Sequence, residues 1–120
     1  MSQSFQKTWE TYVSSWKADS LEEKTALFEA SLDTNCHYRD PLSTAKGWDE
    51  LAGYMNAFHQ QIPGGHFVTT WFLAHNQRSI AKWEMRNAQE VVLGEGISYG
   101  EYNDQGKLLT MTGFFETPEA

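Results

Sequence analysis

The hydrophobic period of this chain changes once, at Pro63-Gly64-Gly65. Apolar residues recur at helical spacing before that point, and β-branched and aromatic residues recur at strand spacing after it. Helices first and strands afterwards, joined by short polar turns, predict an α+β fold with an antiparallel meander. Phe5, Trp9, Tyr12, Val13 and Trp16 form the stripe of a first helix over about residues 4–17, with one face almost wholly aromatic. Ser20 followed by Glu23 fits a capping box, and Leu21, Leu27, Phe28 and Leu32 carry a second helix to about residue 32, with Asp33-Thr34-Asn35 as its exit. A short extended piece follows at Cys36–Arg39. Gly47 then opens a third helix, with Leu51, Tyr54, Met55 and Phe58 on one side, which must stop before Pro63. Four strands are expected at about 66–76, 79–87, 90–102 and 107–117, so that three N-terminal helices cover the concave face of a curved, mainly antiparallel sheet.

The last hairpin carries an asymmetry. With Asn103-Asp104-Gln105-Gly106 as a four-residue loop, Tyr102 faces Lys107, Ser98 faces Met111 and Gly96 faces Gly113. Gly94, Gly96, Ser98 and Gly100 then share one face, while Glu95, Ile97 and Tyr99 take the other. Glycine weakens a strand interior, so this run calls for either a bend or close approach of the aromatic helix, or a cavity walled by Trp83, Met85, Met111 and Phe115. A curved sheet allows both.

Length and charge narrow the function. The 120 residues, without a Pro/Gly/Ser linker or repeat, suit a single domain over residues 1–120. Nine basic against sixteen acidic residues leave a net charge of −7, which argues against nucleic acid and anionic membranes as partners. The first twenty residues lack the pattern of a leader and no window approaches the ~18 apolar residues of a membrane span, so a cytoplasmic protein is expected. Cys36 is the only cysteine and reads as a small buried residue. The four histidines show no metal-ligand spacing, and GEGISYG at 94–100 matches no nucleotide-binding loop, so neither a metal nor a cofactor is expected.

One stretch concentrates polar chemistry. His37-Tyr38-Arg39-Asp40-Pro41 brings an acid, a base, a phenol and a cation together ahead of a proline. Alternation along an extended segment divides them, with Tyr38 and Asp40 on one side and His37 and Arg39 on the other. Asp40 has two compatible roles, capping its own turn and serving as a base in an apolar pocket.

The order and spacing of these parts resemble the NTF2-like superfamily, in particular its SnoaL-like and ketosteroid-isomerase branches. The resemblance spans nearly the whole chain and rests on the aromatic first helix, YRDP at 38–41, GWDELAGY at 47–54, AKWEM at 81–85 and NDQGKLLTMTGFFE at 103–116. It implies a conical α+β half-barrel around an apolar pocket, and a homodimer through the outer sheet face. In the steroid isomerases the Asp of the Asp-Pro element is the proton-shuttling base, a role that falls here to Asp40. Their oxyanion donors, a helix tyrosine and a protonated Asp on the sheet, correspond to a position near Trp16 and to Ser98, with Tyr12 one turn before Trp16; both positions depart from the steroid-isomerase pattern. The family includes isomerases, cyclases and dehydratases as well as binding modules without catalysis.

The expected catalytic groups are therefore Asp40, His75, which shares strand parity with Phe67 and Trp71, and Tyr12. Trp16, Tyr38, Tyr54, Phe58, Trp71, Trp83, Met85, Ser98, Met111 and Phe115 are expected to contact a small apolar ligand. His59, at the end of the third helix, is expected to be solvated. An enzyme of proton transfer and a ligand-binding or accessory module both fit these residues.

Overall fold

A computed structural model describes residues 2–117, so residues 1 and 118–120 of the expected domain lie outside the described ones. Three helices, α1 (Ser2–Ser15), α2 (Leu21–Ser31) and α3 (Gly47–Gln61), pack on one curved sheet of six strands. The strands are β1 (Leu32–Arg39), β2 (Thr44–Lys46), β3 (His66–His75), β4 (Arg78–Arg86), β5 (Val92–Tyr102) and β6 (Leu108–Phe114). Their order in the sheet is β2-β1-β6-β5-β4-β3, antiparallel throughout except where β1 runs parallel to β6. The sheet is open, with β2 and β3 at its edges.

The helix starts follow the expected chemistry. Ser20 caps α2 by accepting the Glu23 amide at 3.1 Å, while the Glu23 carboxylate accepts the Asp19 amide at 3.2 Å. At α3 the Glu50 carboxylate accepts the Lys46 amide, and Gly47 takes a left-handed φ of 77° that a larger residue resists. The core is built from the aromatic stripe of α1, Phe28 of α2, Leu51 and Met55 of α3, and Leu32, Leu108 and Met111 of the sheet. Lys24 is buried with them, its ammonium donating to the Ala18 carbonyl at 2.5 Å.

Three expectations need correction. Asp33-Thr34-Asn35 is not a loop: β1 begins at Leu32, directly after α2, and reaches β6 through a register shift between Leu32 and His37. The β5–β6 register is displaced by two residues from the expected one, so that Ser98 faces Gly113 rather than Met111. Asn103 extends the turn by accepting the amides of Gln105 and Lys107, and a bulge between Glu101 and Tyr102 adds the second step. A two-residue displacement preserves every side chain's face. The third correction lies in β3, where the register shifts between Thr69 and Trp71 and leaves Thr70 as an extra residue. Beyond it the parity inverts, so Trp71, Leu73 and His75 lie on the outer face.

The glycine run serves both purposes considered for it. A side-chain carbon at Gly96 would sit 2.4 Å from a ring carbon of Trp83, and one at Gly100 would meet Leu108 at 2.9 Å and Trp9 at 3.5 Å. The Trp83 ring therefore fills the first position, and Leu108 with Ser79 the second, with Trp9 of α1 in contact behind them. Gly94 and Gly113 remain open and face a cavity between sheet and helices.

Candidate functional site

That cavity has a volume of about 700 Å³. Trp9, Tyr12, Val13 and Trp16 of α1 line one side, Tyr54 and Phe58 of α3 the next, and Phe67, Trp83, Met85, Ser98 and Phe115 the sheet side. Trp16 organises the wall, with ring centroids 5.7 Å from Tyr38, 6.0 Å from Tyr54, 5.7 Å from Phe58 and 5.3 Å from Phe67. Edge-to-face contacts dominate, the arrangement that ring quadrupoles favour.

Asp40 stands on this lining at the end of β1. Its Oδ1 accepts the amides of Leu42 at 2.8 Å and Ser43 at 3.0 Å, which is the turn-capping role. Its Oδ2 accepts two phenolic hydroxyls, Tyr38 at 2.5 Å and Tyr54 at 2.8 Å. All four donors are neutral. Burial holds the Tyr38 hydroxyl far above its ordinary value, with the neighbouring Tyr12 and Asp40 adding to the effect. Tyr54 is raised by burial and then by its bond to Asp40. Both phenols therefore stay protonated as donors to the carboxylate. His37 and Arg39 lie away from the cavity, with an Arg39 nitrogen 3.4 Å from the His37 ring, as the alternation requires.

Two further hydroxyls face the cavity in a matching way. Trp16 Nε1 donates to the Tyr12 hydroxyl at 3.0 Å, and Trp83 Nε1 donates to Ser98 Oγ at 2.9 Å. An indole nitrogen can only donate, so each hydroxyl receives a hydrogen bond and keeps its own proton for another acceptor. Burial, above all, holds the Tyr12 proton more tightly than in a free phenol. Gly113 brings Ser98 and Asp40 together: a side-chain carbon there would lie 3.6 Å from Asp40 Cβ, 3.7 Å from Ser98 Oγ and 3.9 Å from the Tyr38 hydroxyl.

Of the expected site residues, Asp40, Tyr12, Trp16, Tyr38, Tyr54, Phe58, Trp83, Met85, Ser98 and Phe115 meet on this one lining. Met111 does not; it is buried in the core beneath. Trp71 is 42% exposed on the outer face, under the Lys82 ammonium at 5.3 Å, because the Thr70 bulge turned it there. The same inversion places His75 at the exposed end of β3, bonded to the Asn76 amide and away from the cavity. His59 is half-buried rather than free in solvent, with its Nε2 on the Trp16 carbonyl just past the end of α1. Trp9, Val13 and Phe67 were not expected on the lining. The first two belong to the same α1 stripe as Tyr12 and Trp16, and Phe67 precedes the bulge that inverts β3, so the signal for each was present.

Among the described residues no group of three or more His, Cys, Asp or Glu could hold a metal ion. Burial pushes the Cys36 thiol up to about 11, in keeping with a packed and unreactive cysteine. No helix among the described residues is long and apolar enough to cross a membrane.

Comparison with known proteins now bears on the site. The sequence pattern of the SnoaL-like domain matches residues 9–117. The chain belongs to the SnoaL-like domain family. Among solved structures, it is similar to a candidate isomerase of the SnoaL-like family from Agrobacterium tumefaciens str. C58, with a TM-score of 0.87 at 22% identity over 96% of this chain and 99% of that one. A candidate SnoaL-like polyketide cyclase from Jannaschia sp. CCS1 gives a TM-score of 0.77 at 9% identity, covering 96% and 87% of the two chains. A SnoaL-like protein of unknown function from Burkholderia thailandensis E264 gives 0.72 at 13% identity over 98% and 99%. No curated protein matches this SnoaL-like chain in sequence. At these identities the structural likenesses establish the α+β fold alone.

Proposed function

We propose that this SnoaL-like protein is a cofactor-independent enzyme of proton transfer, an isomerase, cyclase or dehydratase acting on a small apolar carbonyl compound. One observation carries the reading: two hydroxyls, Tyr12 and Ser98, each accept an indole N–H and keep their own protons unspent, on the cavity that also holds the Asp40 carboxylate. Asp40 Oδ2 takes the proton from the carbon beside the carbonyl, and the electron pair moves through the new C=C bond onto the oxygen. Tyr12 and Ser98 hydrogen-bond that oxygen as its charge grows, where an apolar cavity strengthens their effect. Asp40 then returns the proton to the same carbon or to another. Tyr54, less buried than Tyr38, is the donor that yields its place on Oδ2.

Deuterium exchange at the α-carbon of neutral apolar ketones in D2O, followed by NMR, tests this. Asp40→Asn should slow exchange at least about 100-fold, and Tyr12→Phe about 10- to 1,000-fold, with affinity little changed. A set of ketones that bind in the cavity yet show no exchange would sink the proposal.

A second reading has its own observation. All four hydrogen bonds that Asp40 accepts come from within the protein, two from its turn and two from Tyr38 and Tyr54. A carboxylate so fully engaged suits a ligand-binding or accessory module, in which binding persists and the exchange assay stays silent.

We propose, too, that the outer sheet face joins two copies. The register aligns Trp71, Lys82, Ile97 and Phe114 in one row across four strands and Leu73, Ile80, Tyr99 and Thr112 in the next. Phe114 and Leu73 are 58% and 56% exposed, a large apolar patch for a sheet to leave open. An apolar patch on a sheet face can meet its own copy about a two-fold axis. Sedimentation at tens of micromolar should show a dimer that Ile97→Glu with Phe114→Glu converts to monomer. A monomer of the unaltered chain under those conditions counts against it.

A further inference from the structure

The cavity holds a charge without a counter-charge. Asp40 contributes a carboxylate, and the four groups that bond it are neutral. Among the described residues, the other ionisable groups of the lining apart from its tyrosines are Glu95 and Glu116, both exposed, and no Lys, Arg or His is on it. Arg39, next to Asp40 in the chain, lies on the far side of β1 against His37. Ion pairs among the described residues are confined to the cluster of His66, Glu84, Arg86 and Glu90, none of which lines the cavity.

The walls are rich in the side chains that attract cations. Nine of the lining residues are aromatic, and the face of an aromatic ring carries negative potential. Indole is the strongest of the common rings in attracting a cation, and Trp9, Trp16 and Trp83 all border the space. A purely apolar ligand would use the area of these rings and leave the carboxylate, though hydrogen-bonded, without an opposite charge in the cavity. An anion would meet Asp40 in a setting with less water to screen the repulsion.

Resting on the reading of the cavity as a small-molecule site, we infer that its preferred occupant carries a positively charged nitrogen, a protonated amine or quaternary ammonium on an apolar body, which in a substrate is the body that bears the carbonyl group, with Asp40 as the counter-charge. The apolar body fills the aromatic enclosure and the cationic centre lies against the rings within the field of the carboxylate. Asp40 keeps its bonds to the turn and to the two tyrosines, because attraction through the field requires no direct contact.

Three probes of nearly equal shape separate the effects: 4-hydroxyphenyltrimethylammonium, its neutral isostere 4-tert-butylphenol, and the anion 4-tert-butylbenzoate, each titrated by calorimetry at low salt into the whole chain. The cation should bind at least about 10-fold more tightly than the phenol, and the benzoate more weakly than both. In Asp40→Asn the cation's advantage should fall below about threefold while affinity for the phenol stays within about twofold. A phenol that binds as tightly as the cation, or a benzoate that binds most tightly, overturns the inference and leaves the small-molecule site standing. An advantage undiminished in Asp40→Asn overturns Asp40 as the counter-charge. Absence of binding by all three at millimolar concentration overturns the inference and the small-molecule reading together.

Discussion

Asp40→Ala should destabilise the fold by about 2–4 kcal/mol, whereas Asp40→Asn should cost under about 1 kcal/mol, as urea denaturation would measure. The difference follows from what each replacement does with four donors. Alanine removes the acceptor of the Leu42 and Ser43 amides and of the Tyr38 and Tyr54 hydroxyls at once. The amides sit in an exposed turn where water can replace part of the loss, but Tyr38 is only 9% exposed, so its hydroxyl has much less recourse to water. Asparagine keeps the turn, because its carbonyl oxygen can accept the two amides. Its NH2 group then faces the two phenols, which can rotate to accept instead of donate. Fold retained with the carboxylate gone is the condition under which loss of proton transfer, or of preference for a cation, can be assigned to Asp40's chemistry. Equal destabilisation by both replacements would mean that charge, rather than the geometry of donors and acceptors, holds this corner together.

The same residue shows how far the sequence could be read. Alternation along Cys36–Arg39 and the proline at 41 were enough to pair Tyr38 with Asp40 and to place a cap at the turn, since both are local properties. The grip of Tyr54 on Asp40 was not legible: the two lie 14 residues apart, on different elements, and only packing of α3 against β1 brings them together. The indole bonds divide likewise. Trp16 to Tyr12 is an i, i+4 pair implied by the helix, while Trp83 to Ser98 depends on the β4–β5 register. Periodicity located the strands but not their irregularities. One extra residue at Thr70 moved Trp71 and His75 from the cavity to the outer face, and no feature of HFVTTWFLAH marks where a strand of that composition will bulge. The displacement at the end of the β5–β6 hairpin did no such harm, being even. The parallel contact of β1 with β6 joins residues more than seventy apart and is a property of the whole fold.

Alkali should unfold this protein within a narrow range above about pH 10, in a single transition that releases its buried phenols together. Tyr12, Tyr38 and Tyr102 are each at most 9% exposed, and burial, first among the causes, raises all three; Tyr102 is pushed up to about 12. In the unfolded chain a tyrosine titrates near 10. Each folded-state value lies above its unfolded one, so above that pH the native state holds protons that the unfolded state has lost. The contribution of these groups is complete below about pH 10 and declines as the pH rises through the folded values. Each loses about 1.4 kcal/mol per pH unit in that window, so three lose about 4 kcal/mol per unit. A domain with a stability of about 5–15 kcal/mol then has one to a few pH units of margin. The buried Cys36 thiol acts in the same direction and starts lower, since an ordinary thiol ionises nearer 9. Tyr99 is the internal contrast: it lies on the outer face, where its hydrogen bond to the Glu101 carboxylate raises it but does not enclose it, and it can ionise without unfolding. Tyrosinate absorbance and far-ultraviolet circular dichroism, followed together from pH 8 to 13 at ~1-unit steps, should show a small gradual phase from Tyr99 and then one steep step in both signals. Smooth titration of all five tyrosines near pH 10, with the dichroism unchanged, would show that Tyr12, Tyr38 and Tyr102 are not shielded from water as the packing around Trp16 and Phe5 requires.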